Sequence, residues 1–136
     1  MKAFVDKGSF RDRHARVYFV ENEIIRLLDA DANENWRCLS NSDLFKRLVA
    51  SGDVVKTEEI VMDRLPGSLV SEGWAAAVRH EPIPFISYPY EWSFGQMRDA
   101  ASFHLSLLKM SLEANFILKD ASAFNIQWKG SKPVFI

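Results

Sequence analysis

The chain has 136 residues, of which 48% are hydrophobic, and it contains ten Phe and four Trp. This size fits one domain with one core, and the apolar content excludes intrinsic disorder for most of the chain. The 17 Lys and Arg residues against 18 Asp and Glu give a formal net charge of −1, which excludes a globally basic nucleic-acid-binding protein.

The N-terminal part of the sequence predicts a loop followed by a β-hairpin. Residues 6–14 are polar and predict the loop. Residues 16–20 and 23–28 are rich in Val, Ile, Leu and aromatic side chains, and Glu21-Asn22 separates them. Two β-prone runs with a two-residue connection are typical of an antiparallel hairpin.

The next segments predict a connection and a short helix. Residues 29–35 are polar and predict an irregular connection. Residues 40–51 carry apolar side chains at helical spacing. Ser40 or Ser42 can cap this helix, and Gly52 ends it.

The middle of the chain predicts extended structure. Residues 53–61 predict a strand, and the Pro66-Gly67 pair predicts a turn. Residues 74–80 fit either a helix or a strand, and their flanking Gly and Pro favour the strand. Residues 84–90 are extended, because their prolines disfavour a helix.

A long helix is predicted from Phe94 to about residue 115. Ser93 and Gln96 have the spacing of a capping box at its start. Apolar residues recur at helical spacing along it and form one stripe: Phe94, Met97, Ala101, Leu105, Leu108 and Leu112.

The C-terminal part predicts a short strand from Ile117 and a hairpin formed by residues 125–128 and 133–136. The predicted class is therefore α+β, with an antiparallel sheet, one short helix and one long helix in a single domain. The sequence stops within its last apolar run, so we expect it to be the N-terminal part of a longer protein.

Three features predict a cytoplasmic location. The first six residues lack the apolar region of a signal peptide. No apolar run approaches the ~20 residues that a membrane helix needs, so no membrane partner is expected. The single Cys38 excludes an internal disulfide and fits a reducing compartment.

The segment from Leu118 to Ile126 is the strongest candidate for chemistry. It places Asp120 five residues before Asn125, between the long helix and the hairpin. In phosphoryl transfer such an Asp accepts the proton of the attacking hydroxyl, and the Asn holds Mg²⁺. The alternative is a turn in which both side chains bond the local backbone.

At these residues the chain resembles the catalytic loop of the protein-kinase-like fold, which includes small-molecule phosphotransferases. The order of predicted elements agrees with a kinase N-lobe and the start of its C-lobe. The resemblance implies Asp120 as base, Asn125 as metal ligand and Mg-ATP as ligand. The candidate nucleotide-contacting residues that it implies are Gly8, Ser9, Arg26 and Lys119.

The chain departs from the kinase pattern in several places. Leu118 stands where His is usual, Gly8 is the only glycine of its loop, and Arg26 replaces the expected Lys. The family's metal-binding Asp would follow Ile136. A complete active site is therefore not expected in this chain.

A second resemblance covers most of the sequence. Residues 8–13, 84–95 and 118–126 are similar to the N-terminal region of a bacterial family of SAM-dependent methyltransferases or nodulation-type proteins. In that family a methyltransferase domain lies downstream. The resemblance implies that SAM binds only through such a domain, which would be this chain's partner within one protein.

Two further segments are open to alternative interpretations. A cationic cluster could contact a phosphate-rich partner, although a solvated loop is favoured: Lys7, Arg11, Arg13, His14 and Arg16. The aromatic segment 87–92 could contact an adenine through its backbone, but burial in the core is favoured.

Three functions follow as hypotheses. The preferred one is a non-catalytic kinase-like module with a binding or regulatory role, tethered to a methyltransferase-type domain. The second is the nucleotide-binding part of a Mg-dependent phosphotransferase with Asp120 as base. The third is an interaction domain that binds a phosphate-rich partner through Lys7–Arg16.

Overall fold

The computed structural model describes residues 2–119 and 121–136, and it divides into two compact units. The sheet unit contains the residues up to Asn41 together with Lys56–Pro82, and the helical unit contains Ser42–Val55 with Ile83–Ile136. Both helices and antiparallel strands are present, so the predicted α+β class is confirmed. No described helix is both long and apolar enough to cross a membrane.

The sheet unit is built on a five-stranded antiparallel sheet with the order β1-β2-β3-β5-β4. Its strands are β1 Ala3–Val5, β2 Ala15–Val20, β3 Glu23–Leu28, β4 Thr57–Ile60 and β5 Ala76–His80. The predicted hairpin and the strand preference for residues 74–80 are confirmed. The strand predicted over 53–61 is shorter, because only β4 pairs with β5.

The two faces of this sheet are covered differently. The Tyr18 face carries Tyr18, Ile25 and Leu27, which pack against Leu65 and Leu69. Leu65 precedes helix α3, Gly67–Val70, and Leu69 lies within it. This helix lies where the sequence predicted a Pro66-Gly67 turn. The opposite face, which we call the Arg26 face, is packed at one end by helix α1, Ala30–Asn41.

Helix α1, Ala30–Asn41, lies where the sequence predicted a polar connection. The carboxylate of Asp29 accepts a hydrogen bond from the Ala32 N–H at 2.8 Å, which caps the first turn. Ala32 and Trp36 then pack on the Arg26 face. The prediction was wrong because the apolar contacts of α1 with this cluster come from two positions, too few to give an apolar period.

The helical unit contains two helices and a hairpin: α2 Asp43–Ser51, α4 Phe94–Glu113, β6 Ile126–Lys129 and β7 Lys132–Phe135. Ser42 caps α2 through the Phe45 N–H at 3.1 Å, and Gly52 ends it with a φ of 74°. The predicted hairpin is confirmed. The short strand predicted from Ile117 is absent from the described residues, which have no strand between α4 and β6.

Helix α4 begins at the predicted capping box, because Ser93 and Gln96 exchange side-chain and backbone hydrogen bonds. Its buried side contains Ala100 and Leu107. The predicted stripe is present and lies on an exposed side of the helix: Phe94 is 83% exposed and Leu105 is 68% exposed. Helix α4 has apolar residues on two sides, and periodicity alone cannot decide which of them is buried.

Candidate functional site

The register of β3 and β5 brings two chemically active side chains to the Arg26 face. Arg26 lies opposite Val78, and His80 lies opposite Ile24. Directly opposed residues of a sheet point to the same side, and side chains alternate along each strand. Arg26 and His80 therefore share one face, two residues apart along neighbouring strands.

Arg26 is a largely buried cation whose hydrogen bonds are incomplete. Its Nε is buried and has no hydrogen-bond partner among the described residues. Burial lowers the pKa of the Arg26 guanidinium, and the negative charge of Asp12 partly opposes this shift. A buried cation normally needs ionic and hydrogen-bonding partners, so this guanidinium retains capacity for an acceptor.

His80 completes the candidate site from β5. Its Nδ1 lies 2.8 Å from the Thr57 hydroxyl, while its Nε2 is buried without a partner in the described part of the chain. Burial, followed by the nearby charge of Arg26, lowers the pKa of His80 to about 4. The imidazole is therefore uncharged at neutral pH and is a hydrogen-bonding group rather than a proton carrier there.

The chemistry of this pair suits an oxyanion. When Nδ1 accepts the Thr57 hydroxyl hydrogen, Nε2 carries the ring hydrogen and becomes a donor. Arg26 supplies N–H donors and a positive charge. Phosphate or carboxylate oxygens would satisfy both groups, whereas a cation would be repelled by the positive charge of Arg26.

An apolar row continues from His80 across the same face. The register aligns His80 with Ile24, Phe19 and Phe4 in successive strands. Phe4 and Phe19 are both exposed. The face therefore combines a buried polar pair with an open apolar strip, which fits a ligand that has an anionic part and an apolar part.

Arg79 shows how a cation is satisfied on the opposite face of the same strands. Its guanidinium pairs with Glu23 at 2.5 Å and also with Glu58. These hydrogen bonds raise the pKa of Arg79. The Nε of Arg26 has no such partner among the described residues, so the two faces of the same strands treat their arginines differently.

The predicted phosphate loop around Gly8 and Ser9 is a short 3₁₀ helix, Lys7–Arg11. The Gly8 N–H donates to the Asp6 carboxylate at 3.1 Å, and the Ser9 hydroxyl donates to the Asp6 carbonyl at 2.7 Å. A phosphate at the Gly8 amide would have to replace this carboxylate. The sequence did not reveal this, because Asp6 lies outside the glycine motif.

The candidate catalytic loop belongs to the helical unit. Asp120 lies outside the described residues, and Lys119 is exposed. The Asn125 amide oxygen accepts hydrogen bonds from the Ser122 N–H at 3.0 Å and from its hydroxyl at 3.3 Å. This is the geometry that the turn interpretation expects of Asn125, and a metal ion would compete with these bonds.

The described residues include no group of three or more His, Cys, Asp or Glu side chains that could hold a metal ion. The metal role predicted for Asn125 therefore has no support from a cluster of acidic or imidazole ligands in residues 2–119 and 121–136.

The linker before α4 is held by a buried amide. Gln127 accepts a hydrogen bond from the Ser87 N–H and donates one to the Ser87 carbonyl, both at 3.0 Å. The backbone of Ser87 is thus occupied and not open to an adenine ring. Among the linker aromatics, Trp92 is in the core as expected, but Tyr88 and Tyr90 stack on each other and are exposed.

The cationic cluster at 7–16 divides among different surroundings. His14 pairs with Asp29 at 2.7 Å. Arg16 lies on the Tyr18 face, where its charge acts on Glu72. Arg11 lies 5.6 Å from the ring of its neighbour Phe10. These separate contacts support the solvated-loop interpretation more than one common phosphate-binding patch.

Comparison with known proteins finds one informative relative. The chain is 36% identical over 132 residues to the nodulation protein NoeA of Rhizobium meliloti (strain 1021), a match that covers 95% of this chain. It covers 26% of NoeA, so the chain spans about a quarter of the length of this relative. No protein-family model and no solved structure matches. The predicted similarity to nodulation-type proteins is thus confirmed, because the chain is similar to NoeA over most of its own length.

Proposed function

We propose that this chain is a non-catalytic, kinase-like module that binds a phosphate-bearing ligand on the Arg26 face. Within a longer NoeA-type protein it has a binding or regulatory role and is tethered to a methyltransferase-type domain. The ligand site is formed by Arg26 and His80, with Phe19 beside them.

The observation that supports the proposal most strongly is the pair of buried, unpartnered nitrogens. Arg26 Nε and His80 Nε2 are two of four such side-chain atoms in the described part of the chain. Leaving a buried donor without an acceptor costs about 1–3 kcal/mol. A bound oxyanion removes this cost, and the charge of Arg26 favours phosphate over a neutral ligand.

The apolar row suggests the rest of the ligand. Ile24, Phe19 and Phe4 continue from His80 and can contact a ring system. A nucleotide combines such a ring with phosphate groups. ATP, with and without Mg²⁺, is therefore the appropriate first probe, and inorganic phosphate is the probe for the polar pair alone.

Binding is favoured over phosphoryl transfer by the local contacts of the predicted catalytic elements. The Gly8 N–H is bonded to Asp6, and the Asn125 oxygen is bonded to Ser122. Both groups would have to exchange these partners before contacting phosphate or metal. The similarity to NoeA also supports the role of a module. The match covers 26% of NoeA, so the matched region is one part of a longer protein there.

The proposal is tested by calorimetric titration of the 136-residue protein with inorganic phosphate, ATP and Mg-ATP near neutral pH. Saturable binding is expected, and Arg26→Gln should weaken it about tenfold or more, because a charge-assisted hydrogen bond contributes about 1.5–3 kcal/mol. Incubation with γ-labelled ATP should give no transfer above the protein-free rate.

Arg98→Gln is the matched control, since Arg98 is exposed and pairs with Asp99 on α4. It should bind the probes as the parent protein does. Equal binding by the Arg26→Gln variant, or no saturable binding of any probe, would overturn the ligand site. Phosphoryl transfer that is lost in Asp120→Asn would overturn the non-catalytic assignment in favour of a phosphotransferase.

A further inference from the structure

Helix α4 carries a second apolar side along its whole length. We call it the α4 stripe, and its residues recur every three or four positions: Phe94, Met97, Ala101, Leu105, Leu108 and Leu112. All except the half-buried Leu108 are exposed. From Phe94 to Leu112 the stripe is about 27 Å long at 1.5 Å per residue.

A different side of the same helix already supplies the core contacts of the helical unit. Ala100 packs with Trp92 and Ile126, and Leu107 packs with Leu44 and Leu48. The stripe is therefore not needed to fold this unit. A helix that is apolar on two sides is typical of a position between two layers of structure, and a contiguous exposed apolar surface marks an interaction site.

The charges along the helix favour a polypeptide over a membrane surface. Arg98 pairs with Asp99 at 2.9 Å, and Lys109 lies 3.9 Å from Glu113. The charged residues of α4 are thus two cations and two anions. A helix that binds a membrane surface usually has an excess of Lys and Arg on its polar side, and α4 lacks this excess.

We infer that the α4 stripe is the docking surface for the part of a NoeA-type polypeptide that lies outside the matched region. About three quarters of NoeA lies outside that region, which provides ample chain to form a second layer. The inference rests on the proposed function only in placing this chain within a longer protein, and it is independent of the phosphate site.

Cysteine labelling compares the stripe in the 136-residue protein and in full-length NoeA. Cys38 is exposed, so Cys38→Ser provides the background for Leu105→Cys, with Met97→Cys as a second reporter. The residues of NoeA aligned with these two positions are changed to Cys in the same way. Maleimide labelling of each reporter peptide is followed by mass spectrometry. It should be about tenfold slower or more in NoeA, because the layer that covers the stripe must open before the thiol can react.

Glu34→Cys on α1, at an exposed position, normalises the labelling rates between the two proteins. Equal normalised rates at both reporters would overturn the inference. Protection in the 136-residue protein that grows with its concentration would also overturn it, because a second copy would then cover the stripe. Arg26→Gln leaves this ratio unchanged, so failure of the phosphate test and failure of the docking test are distinct results.

Discussion

The sheet unit and the helical unit each have one side whose groups are satisfied by packing within the unit and one side, which we call open, whose groups are not. The open sides differ in chemistry. On the sheet, the Arg26 face contains buried nitrogens of Arg26 and His80 that lack hydrogen-bond partners among the described residues. On α4, the open side is a stripe of exposed apolar residues such as Leu105. Buried donors require acceptors, whereas exposed apolar surface is stabilised by contact with other apolar surface. We therefore propose different partners for the two units, a small anionic ligand for the sheet unit and a polypeptide for the helical unit.

The largest expected effect separates the two sides of α4. Leu107 is 1% exposed and belongs to a core cluster, so Leu107→Ala should lower the free energy of unfolding by about 2–5 kcal/mol. Leu105→Ala, two residues away, removes the same atoms from an exposed position and should change it by no more than about 0.5 kcal/mol. Urea unfolding of both variants measures the difference.

The pair is matched because both substitutions place Ala, the strongest helix former, in the interior of one helix. The intrinsic helical contribution is therefore nearly the same in both. A similar loss for both variants would mean that Leu105 is covered in the 136-residue protein. The comparison between a completed and an open side of α4 would then fail.

Helix α4 also shows how far the sequence can predict this fold. Its start was predictable, because Ser93 and Gln96 satisfy each other's backbone groups locally. Its buried side was not, because Leu105 and Leu107 are chemically equal and tertiary contacts alone distinguish them. The β2–β3 hairpin was also predictable from local sequence, because its two strands are joined by a turn of only two residues, Glu21 and Asn22.

The candidate site depends on contacts between segments far apart in the chain. Arg26 was named through a resemblance, but nothing in the sequence places it near His80, 54 positions later. Their proximity arises from the pairing of β3 with β5, and α1, α2, β4 and α3 lie between these strands in sequence. Alternation within each strand could have placed each residue on a face, but the register that joins them is a long-range property.

The next prediction uses the pH dependence of folding to test the burial of His80. Its pKa is about 4 in the folded protein and about 6.5 when unperturbed. Between these values the unfolded state binds a proton that the folded state does not, so stability is complete above pH 6.5 and falls as the pH is lowered. A loss of about 2 kcal/mol is expected between about pH 7.5 and about pH 5.

His80→Gln should remove most of this loss when urea unfolding is measured at both pH values. Three carboxyl groups have a lowered pKa, Asp29, Glu58 and Glu72. They change stability with the same sign, but they act near and below the ordinary carboxyl pKa of about 4. They therefore contribute little in this window. An unchanged pH dependence in the variant would show that His80 is accessible to solvent. Only Arg26 would then remain as a buried polar group of the proposed site.

The smallest expected effect concerns the position at which α4 begins, which sets the sides that its residues occupy. Ser93→Ala removes the side-chain oxygen that accepts the Gln96 N–H and should lower the free energy of unfolding by about 1 kcal/mol. Ser102→Ala, at an exposed site inside the helix, is the control and should be neutral or slightly stabilising. Amide hydrogen exchange should show faster opening of the first turn in the Ser93 variant alone. If both variants unfold alike, the capping box does not fix the start of the helix, and packing of Ala100 and Leu107 alone would have to determine which side of α4 remains open.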